Sequence, residues 1–332
     1  MAVNRSVWQD TTGVPGAIRD SPIPTDLEDS KILIKVHAWA VNPCDAILQD
    51  KPLPIVTYPV ILGQDVAGIV EAVGAAAGSK FKPGDQVFGF SINNGFQDYV
   101  LLESSLAAKI PKTLSFVEAA VFPLAVSTAS FALFSNAFLG LSMPSLTPAN
   151  TGHSILIWGG SSAVGSNAIQ LAKSAGYEVV TTCSPRNFDY VRSLGADKVF
   201  DYNSPLVTED LVAELDNGTC VGIYMAAGSV AGACQVSHKS KQNLLVASSN
   251  PIMPGDAPEG VEAKFTLGGL EEMRDSLSAS WGGFLAEALK AGKYQVAPSV
   301  EVVPTKGLEG IQEALDLWKK GVSAKKLVIE AI

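Results

Sequence analysis

A chain of 332 residues with 47% hydrophobic and only 17% charged residues can bury two substantial cores and is too apolar to be disordered. Its net charge of −9 argues against nucleic acid and anionic membrane surfaces as partners. Four scattered cysteines (Cys44, Cys183, Cys220, Cys234) have no CxxC spacing and read as free thiols in a reducing cytoplasm; the polar start, MAVNRSVWQD, carries no apolar secretory segment.

In chain order, residues 31–42 (KILIKVHAWAVN) alternate as a strand does. A Pro-rich loop follows from Lys51 to Pro59, then a strand over Val66–Val73, then KPGDQVFGF (82–90), a turn feeding a further strand. Short strands divided by Gly and Pro predict a small β-barrel-like domain up to about Ser115. From there FVEAAVFPLAVSTASFALF reads as helix. Between Ala119 and Ala172 there is no Asp, Glu, Lys or Arg. A membrane span is weighed and set aside, because Pro123, Pro144 and Pro148 interrupt the run and Ser127, Thr128, Ser130, Ser135 and Asn136 dilute it. A buried helix followed by an apolar loop is the better reading. Phe131–Pro148 is then a candidate pocket wall or, equally, a cover for a sheet edge or a partner subunit.

After Ser154, strands and helices alternate. The strands are ILIWGG, EVVTTC (178–183), KVFDY (198–202), GIYMAA (222–227) and NLLVASS (243–249), with helices led by Asn167–Ala175, Phe188–Ser193 and Glu209–Leu215. This pattern predicts an α/β unit, a parallel sheet doubly wound with helices. The tail reads as a helix near Trp281–Ala291, a strand near Val300–Val303, a helix over Leu308–Lys319 and a last strand, KKLVIEAI, which returns to the first domain.

The stretch SILIWGGSSAVG (154–165) is a buried strand that turns on small residues into a helix, which leaves backbone N–H groups free at the helix start to bind a diphosphate. The register is Gly160-x-Ser162-x-x-Gly165, with serine where the dinucleotide fingerprint has its middle glycine. At the end of the second strand of this unit, the place of a ribose-binding carboxylate is taken by Ser184, followed by Arg186 and Asn187; Tyr202 ends the third strand. These donors favour the 2′-phosphate of NADPH over the ribose of NAD, although a lone Arg186 is commonly a solvated charge. His37, His153 and His238 share no paired spacing with each other or with cysteine, so no zinc site is expected; His153 and His238 read as surface or capping residues.

Taken together, VNPCD (41–45), GQDVAGIVEAVG (63–74), KPGDQVFGF (82–90), GGSSAVG, SLGADKVFDY (193–202) and KKGVSAKKLV (319–328) make the chain resemble the medium-chain dehydrogenase/reductase superfamily over nearly its full length. Zinc alcohol dehydrogenases of that superfamily carry Gly-His-Glu where this chain has Gly63-Gln64-Asp65, and their catalytic cysteine aligns with Asn42. What remains is similar to the zinc-independent quinone and enoyl reductase branch, including fungal trans-acting enoyl reductases. The resemblance implies a GroES-like β-barrel domain over 1–122 and 270–332 and a Rossmann doubly wound parallel-sheet domain over 123–269, with NADPH between them.

On the same basis, Ser162, Ala163, Val164 and Gly165 would contact the diphosphate, and Ser184, Arg186, Asn187 and Tyr202 the 2′-phosphate. Cys44, Asp45, Ala46 and Ile47 would flank the nicotinamide, Thr128 would meet its carboxamide, and Ser323 and Lys325 would close the cofactor pocket. For Asp45, capping of the following turn is an equal alternative. Some relatives place a Tyr or Lys proton donor where this chain has Ile47. Thr128, Asn42, a cofactor ribose hydroxyl or ordered water are then candidates to stabilise charge on a substrate carbonyl, and the proton donor stays unassigned. The expected activity is NADPH-dependent reduction of an activated C=C bond in a small hydrophobic α,β-unsaturated substrate, in fungal secondary metabolism, with a polyketide synthase as a candidate partner. Reduction of a quinone or ketone is an alternative, as is a non-redox binding or cyclisation role on the same fold. Monomer and homodimer both stay open.

Overall fold

The computed structural model describes residues 3–53 and 56–332. Met1 and Ala2, part of the N-terminal reading, and Pro54 and Ile55, within the expected Pro-rich loop, lie outside the described residues. The chain forms two compact units, Met1–Leu124 with Val296–Ile332, and Ala125–Gln295.

The first part of the chain gives β1 (Asn4–Gln9), β2 (Ala17–Ser21), β3 (Lys31–Ala40), α1 (Pro43–Asp50), β4 (Val60–Ile61), β5 (Asp65–Val73) and β6 (Gln86–Phe90). It continues with β7 (Tyr99–Glu103), β8 (Ala107–Lys109), α2 (Phe116–Ala119) and α3 (Pro123–Phe134). The middle gives β9 (Ser154–Trp158), α4 (Ala163–Ser174), β10 (Glu178–Cys183), α5 (Phe188–Ser193), β11 (Lys198–Asp201), α6 (Val207–Leu215) and β12 (Cys220–Met225). After these come α7 (Val230–Lys239), β13 (Val246–Ser248), β14 (Ala263–Phe265), α8 (Leu270–Trp281) and α9 (Phe284–Lys290). The tail is β15 (Ser299–Val302), α10 (Gly310–Lys319) and β16 (Lys325–Glu330).

In the first unit β3 is the central strand. Its inward residues Ile32, Ile34 and Val36 are buried while Lys31 and Lys35 point the other way, the two-residue period of a strand with one face on a core. One edge of β3 pairs with β5 along its length; the other is shared between β7 near its start and β16 near its end. A Cβ at Gly68 of β5 would lie 2.1 Å from the Lys35 carbonyl oxygen, so only glycine fits this crossing. The sheet runs β15-β16-β3-β5-β6-β8, and a smaller one runs β2-β1-β4. Leu308, Ile311, Leu315, Leu327 and Ile329 of the tail share a core with Ile32, Val66 and Phe96. The tail therefore returns to the first unit, as its pattern predicted.

The second unit holds a six-stranded sheet in the order β11-β10-β9-β12-β13-β14, every neighbouring pair parallel. Ile155, Leu156 and Ile157 of β9 are fully buried, as strands covered on both faces must be. The strand order reverses between β9 and β12, where a doubly wound sheet leaves a crevice beyond its strand ends. This is the Rossmann arrangement anticipated above.

Two differences from the sequence reading have physical causes. The helix expected over 116–134 is broken into α2 and α3, because Pro123 has no N–H to donate and restricts the residue before it. Pro123 then becomes the first residue of α3, a position that tolerates it well. Residues 270–295, expected with the first domain, belong to the second unit. The Trp281 indole of α8 is buried and donates to Ser127 Oγ at 3.0 Å, Ser280 bonds Ser130, and the Gln295 N–H donates to Gln170 Oε1 at 2.7 Å. Among the described residues, Phe116–Phe134 is the one segment long and apolar enough to cross a membrane, and most of it is buried inside the protein.

Candidate active site

In the second unit the turn after β9 is built by its glycines. Gly159 (φ 81°) donates to Thr182 Oγ1 at 3.0 Å and Gly160 to the Thr182 carbonyl at 2.9 Å, which ties the turn to β10. A Cβ at Gly160 would lie 2.1 Å from Thr181 Oγ1, and one at Gly165 would lie 2.3 Å from the Gly159 carbonyl oxygen. Both outer glycines of the fingerprint are thus fixed by close packing. Ser162 is the N-cap of α4, and its hydroxyl accepts from the Gly165 N–H at 3.0 Å. The N–H groups of Ala163 and Val164, first in α4, have no carbonyl a turn behind them and lie at the positive end of the helix dipole. That is an anion cradle.

Behind it is a support that the sequence did not reveal. The Ser166 hydroxyl donates to the Gly160 carbonyl at 3.2 Å and bonds the Tyr190 hydroxyl at 2.8 Å. Burial pushes the Tyr190 phenol up to about 12, so it stays neutral and can donate. Ser166 sits on a helix and Tyr190 on another, and neither position belongs to a recognisable pattern.

At the end of β10, Ser184 Oγ and the Tyr202 hydroxyl lie 2.6 Å apart on an exposed surface. Arg186 is exposed beside them in sequence and makes no ion pair among the described residues. Asn187 turns the other way: it is buried, and its amide donates to Ser161 Oγ of the glycine turn at 3.2 Å. The nearby carboxylate, Asp201 at the end of β11, accepts the Asn203 N–H through Oδ1 at 2.9 Å. Thr128, on α3, is half-buried.

The first unit holds the other candidates. Asn42 caps the start of α1, and the Asp45 carboxylate accepts from the Asn42 N–H at 2.8 Å and from the Gly63 N–H at 3.2 Å. Asp45 is therefore a cap, the structural alternative of the two. Burial, the largest influence, pushes its carboxyl up to about 7; the two N–H donors and Lys326 pull it down, while Asp65 adds to the rise. Ala46 is buried as well; within 44–47 only Ile47 is exposed, and Cys44 is half-buried. Burial, together with Asp45 and Asp65, holds the Cys44 thiol well above its ordinary value, so it stays protonated.

Asn42 itself is buried and fully committed. Its amide donates to Asp65 Oδ2 at 2.8 Å and accepts from the Lys326 ammonium, which is 2.7 Å from the same Asp65 oxygen. Asn42 is thus placed to hold structure rather than to touch substrate. Lys325 is exposed and paired with Glu301 at 2.6 Å, and Ser323 is half-buried. His37 stacks on Phe116 with ring centroids 4.7 Å apart, and His238 lies in the last turn of α7. Among the described residues no three His, Cys, Asp or Glu side chains gather as a metal site.

Comparison with known proteins agrees with this architecture. The alcohol dehydrogenase GroES-like domain family matches residues 28–112. The chain is 45% identical to dehydrogenase azaJ of Aspergillus niger, over 95% of this chain and 97% of that protein. It is 40% identical to trans-enoyl reductase himH of Aspergillus japonicus, over 99% of this chain and 97% of that one. The native structure of mycobacterial Rv1454c complexed with NADPH superposes with a TM-score of 0.74 at 23% identity, covering 98% of this chain and 99% of its own. A GroES-like unit and a doubly wound parallel-sheet unit together define an oxidoreductase fold. The chain belongs to the medium-chain dehydrogenase/reductase superfamily, among its fungal dehydrogenases and trans-enoyl reductases.

Proposed function

We propose that the chain is an NADPH-dependent reductase that acts on an activated C=C bond, an enone or enoyl thioester, in fungal secondary metabolism. The observation that carries the cofactor assignment is the Ser184–Tyr202 hydroxyl pair beside the exposed Arg186, which makes no ion pair among the described residues, with Ser184 standing where a ribose-binding carboxylate would be. Two hydroxyls and a guanidinium suit a phosphate dianion; a ribose diol calls for an acceptor instead. The glycine turn and the start of α4 suit the diphosphate. When bound, held by the glycine turn and by Ser184, Arg186 and Tyr202, the cofactor would supply hydride chemistry for ene reduction. The protein's share is to bind, orient and exclude water. The names of its fungal relatives, dehydrogenase and trans-enoyl reductase, favour ene reduction over other members of the fold.

The test uses NADPH deuterated on each face of C4 in turn, with a panel of enones and α,β-unsaturated thioesters, read by mass spectrometry. Deuterium on the product β-carbon is the expected result. Bound cofactor with no label in any acceptor would remove ene reduction and leave carbonyl reduction or a non-redox role. In parallel, Arg186→Ala should weaken NADPH binding by about tenfold or more while NADH binding stays unchanged. Equal loss for both cofactors would remove the 2′-phosphate assignment.

A further inference from the structure

Lys326 is a charged side chain near the start of β16, where the buried part of the strand begins; it is only 3% exposed, and two acceptors meet its ammonium inside the protein. It pairs with Asp65 at 2.7 Å and donates to Asn42 Oδ1. Asp65 Oδ1 accepts the N–H of Leu124 at 2.6 Å, at the opening turn of α3, while Asp65 Oδ2 accepts from Asn42 at 2.8 Å. Asn42 in turn offers its N–H to Asp45, whose other oxygen holds the Gly63 N–H. One buried ammonium thus links four places far apart in sequence: the last strand β16, the start of β5, the cap of α1 and the start of α3. Burial of an ion pair gives little net stability against an apolar substitute of the same size. A network kept at that cost is better explained by what it holds in place.

We propose that Lys326 is a positioning residue whose buried ammonium, acting through Asn42 and Asp65, fixes the segment 42–47 at the start of α1. The inference rests on the reductase reading, in which the half-buried Cys44 and the exposed Ile47 flank the nicotinamide. Fixing that segment sets where those side chains lie, and misplacement on the order of 1 Å costs about a hundredfold in rate. The ammonium leaves the substrate untouched; its effect passes through the amide of Asn42.

The experiment compares Lys326→Met, the double variant Lys326→Met/Asp65→Asn, and Asn42→Ala, all in the full-length chain. Readouts are hydrogen exchange of the peptide covering 42–50, the dissociation constant of NADPH, and kcat and KM with an enone. Lys326→Met leaves the Asp65 carboxyl buried without its cation, the costly way to break such a pair. It should speed exchange of 42–50 and lower kcat by at least about tenfold, with NADPH affinity changed by less than about threefold because the phosphate contacts lie elsewhere. The double variant carries no buried charge at these two positions, and a flipped Asn42 amide can accept from the new amide at position 65. It should recover slow exchange and most of kcat.

Should Lys326→Met fail to fold, Asn42→Ala still decides. It keeps the Lys326–Asp65 pair and cuts only the link to α1, so exchange at 42–50 should rise while peptides of β5 and β16 stay protected. Unchanged exchange at 42–50 in Asn42→Ala, or a double variant no better than Lys326→Met, would overturn the inference. Wild-type protein that binds no NADPH would instead remove the reductase reading, and the exchange data would still judge the network.

Discussion

Asp45 holds its proton into the neutral range because it is fully buried. Two backbone N–H groups and Lys326 favour its charged form, but burial and the charge of Asp65 outweigh them and raise the carboxyl to about 7. A carboxyl whose pKa is higher in the folded than in the unfolded state binds its proton more tightly when folded. The native state therefore loses stability as pH rises between roughly 4 and 7, and the loss is complete above that window. Asp45→Asn cannot titrate. It also leaves one of the two N–H donors without an acceptor, a constant penalty of about 1–3 kcal/mol. Measured by urea unfolding, the stability of the variant relative to wild type should climb by up to about 1.4 kcal/mol per pH unit across pH 4–7 and level off by pH 8. A flat difference from pH 4 to 8 would show that Asp45 keeps an ordinary pKa when folded. Cys183, by contrast, has its thiol pushed to about 11 by burial and stays neutral throughout this range.

At the scale of elements, α8 shows how a helix is assigned by what it anchors rather than by how it reads. LEEMRDSLSASW is mostly polar, and its strongest signal is a terminal tryptophan. That indole is 1% exposed and donates to Ser127 on α3, so α8 is pinned to the second unit. Trp281→Ala should cost about 3–5 kcal/mol through the cavity it leaves and should speed hydrogen exchange in α3 and α8. A loss below about 1 kcal/mol would mean that α8 is only loosely attached. The same contrast explains which elements were legible. Strands β9, β10 and β12 are apolar runs followed by small-residue turns, and their alternation with helices revealed the doubly wound sheet. Strands β2, β4, β8 and β14 are two to five residues long, too short for a period to declare itself. Within the candidate site, the glycine turn and the Ser184–Tyr202 pair were legible because the strand pattern fixes which loop ends meet. The partners of Asn42 were not, since Asn42 and Lys326 stand 284 positions apart and meet only because β16 pairs beside β3.

For the whole molecule, the order of the chain matters as much as its sheets. The second unit is continuous from Ala125 to Gln295, whereas the first is closed by residues from both ends of the chain. All six strands of the parallel sheet are available once residue 265 has been made. The central strand β3 must wait for the tail: the Ala38–Ala40 end of one edge stays open until β16 arrives, and Asp65 lacks its cation until Lys326 is in place. Pairing across so long a stretch of chain is slow, because loop closure costs entropy before the contact repays it. The second unit is thus the part able to fold first. Removal of 297–332 should leave the amides of β9, β10, β12 and β13 protected from hydrogen exchange, while those of β3 and β5 exchange at near-unfolded rates. Retained protection in β3 and β5 would mean that the first sheet closes without its tail. Loss of protection in β9 and β12 as well would mean that the parallel sheet cannot stand without the first unit.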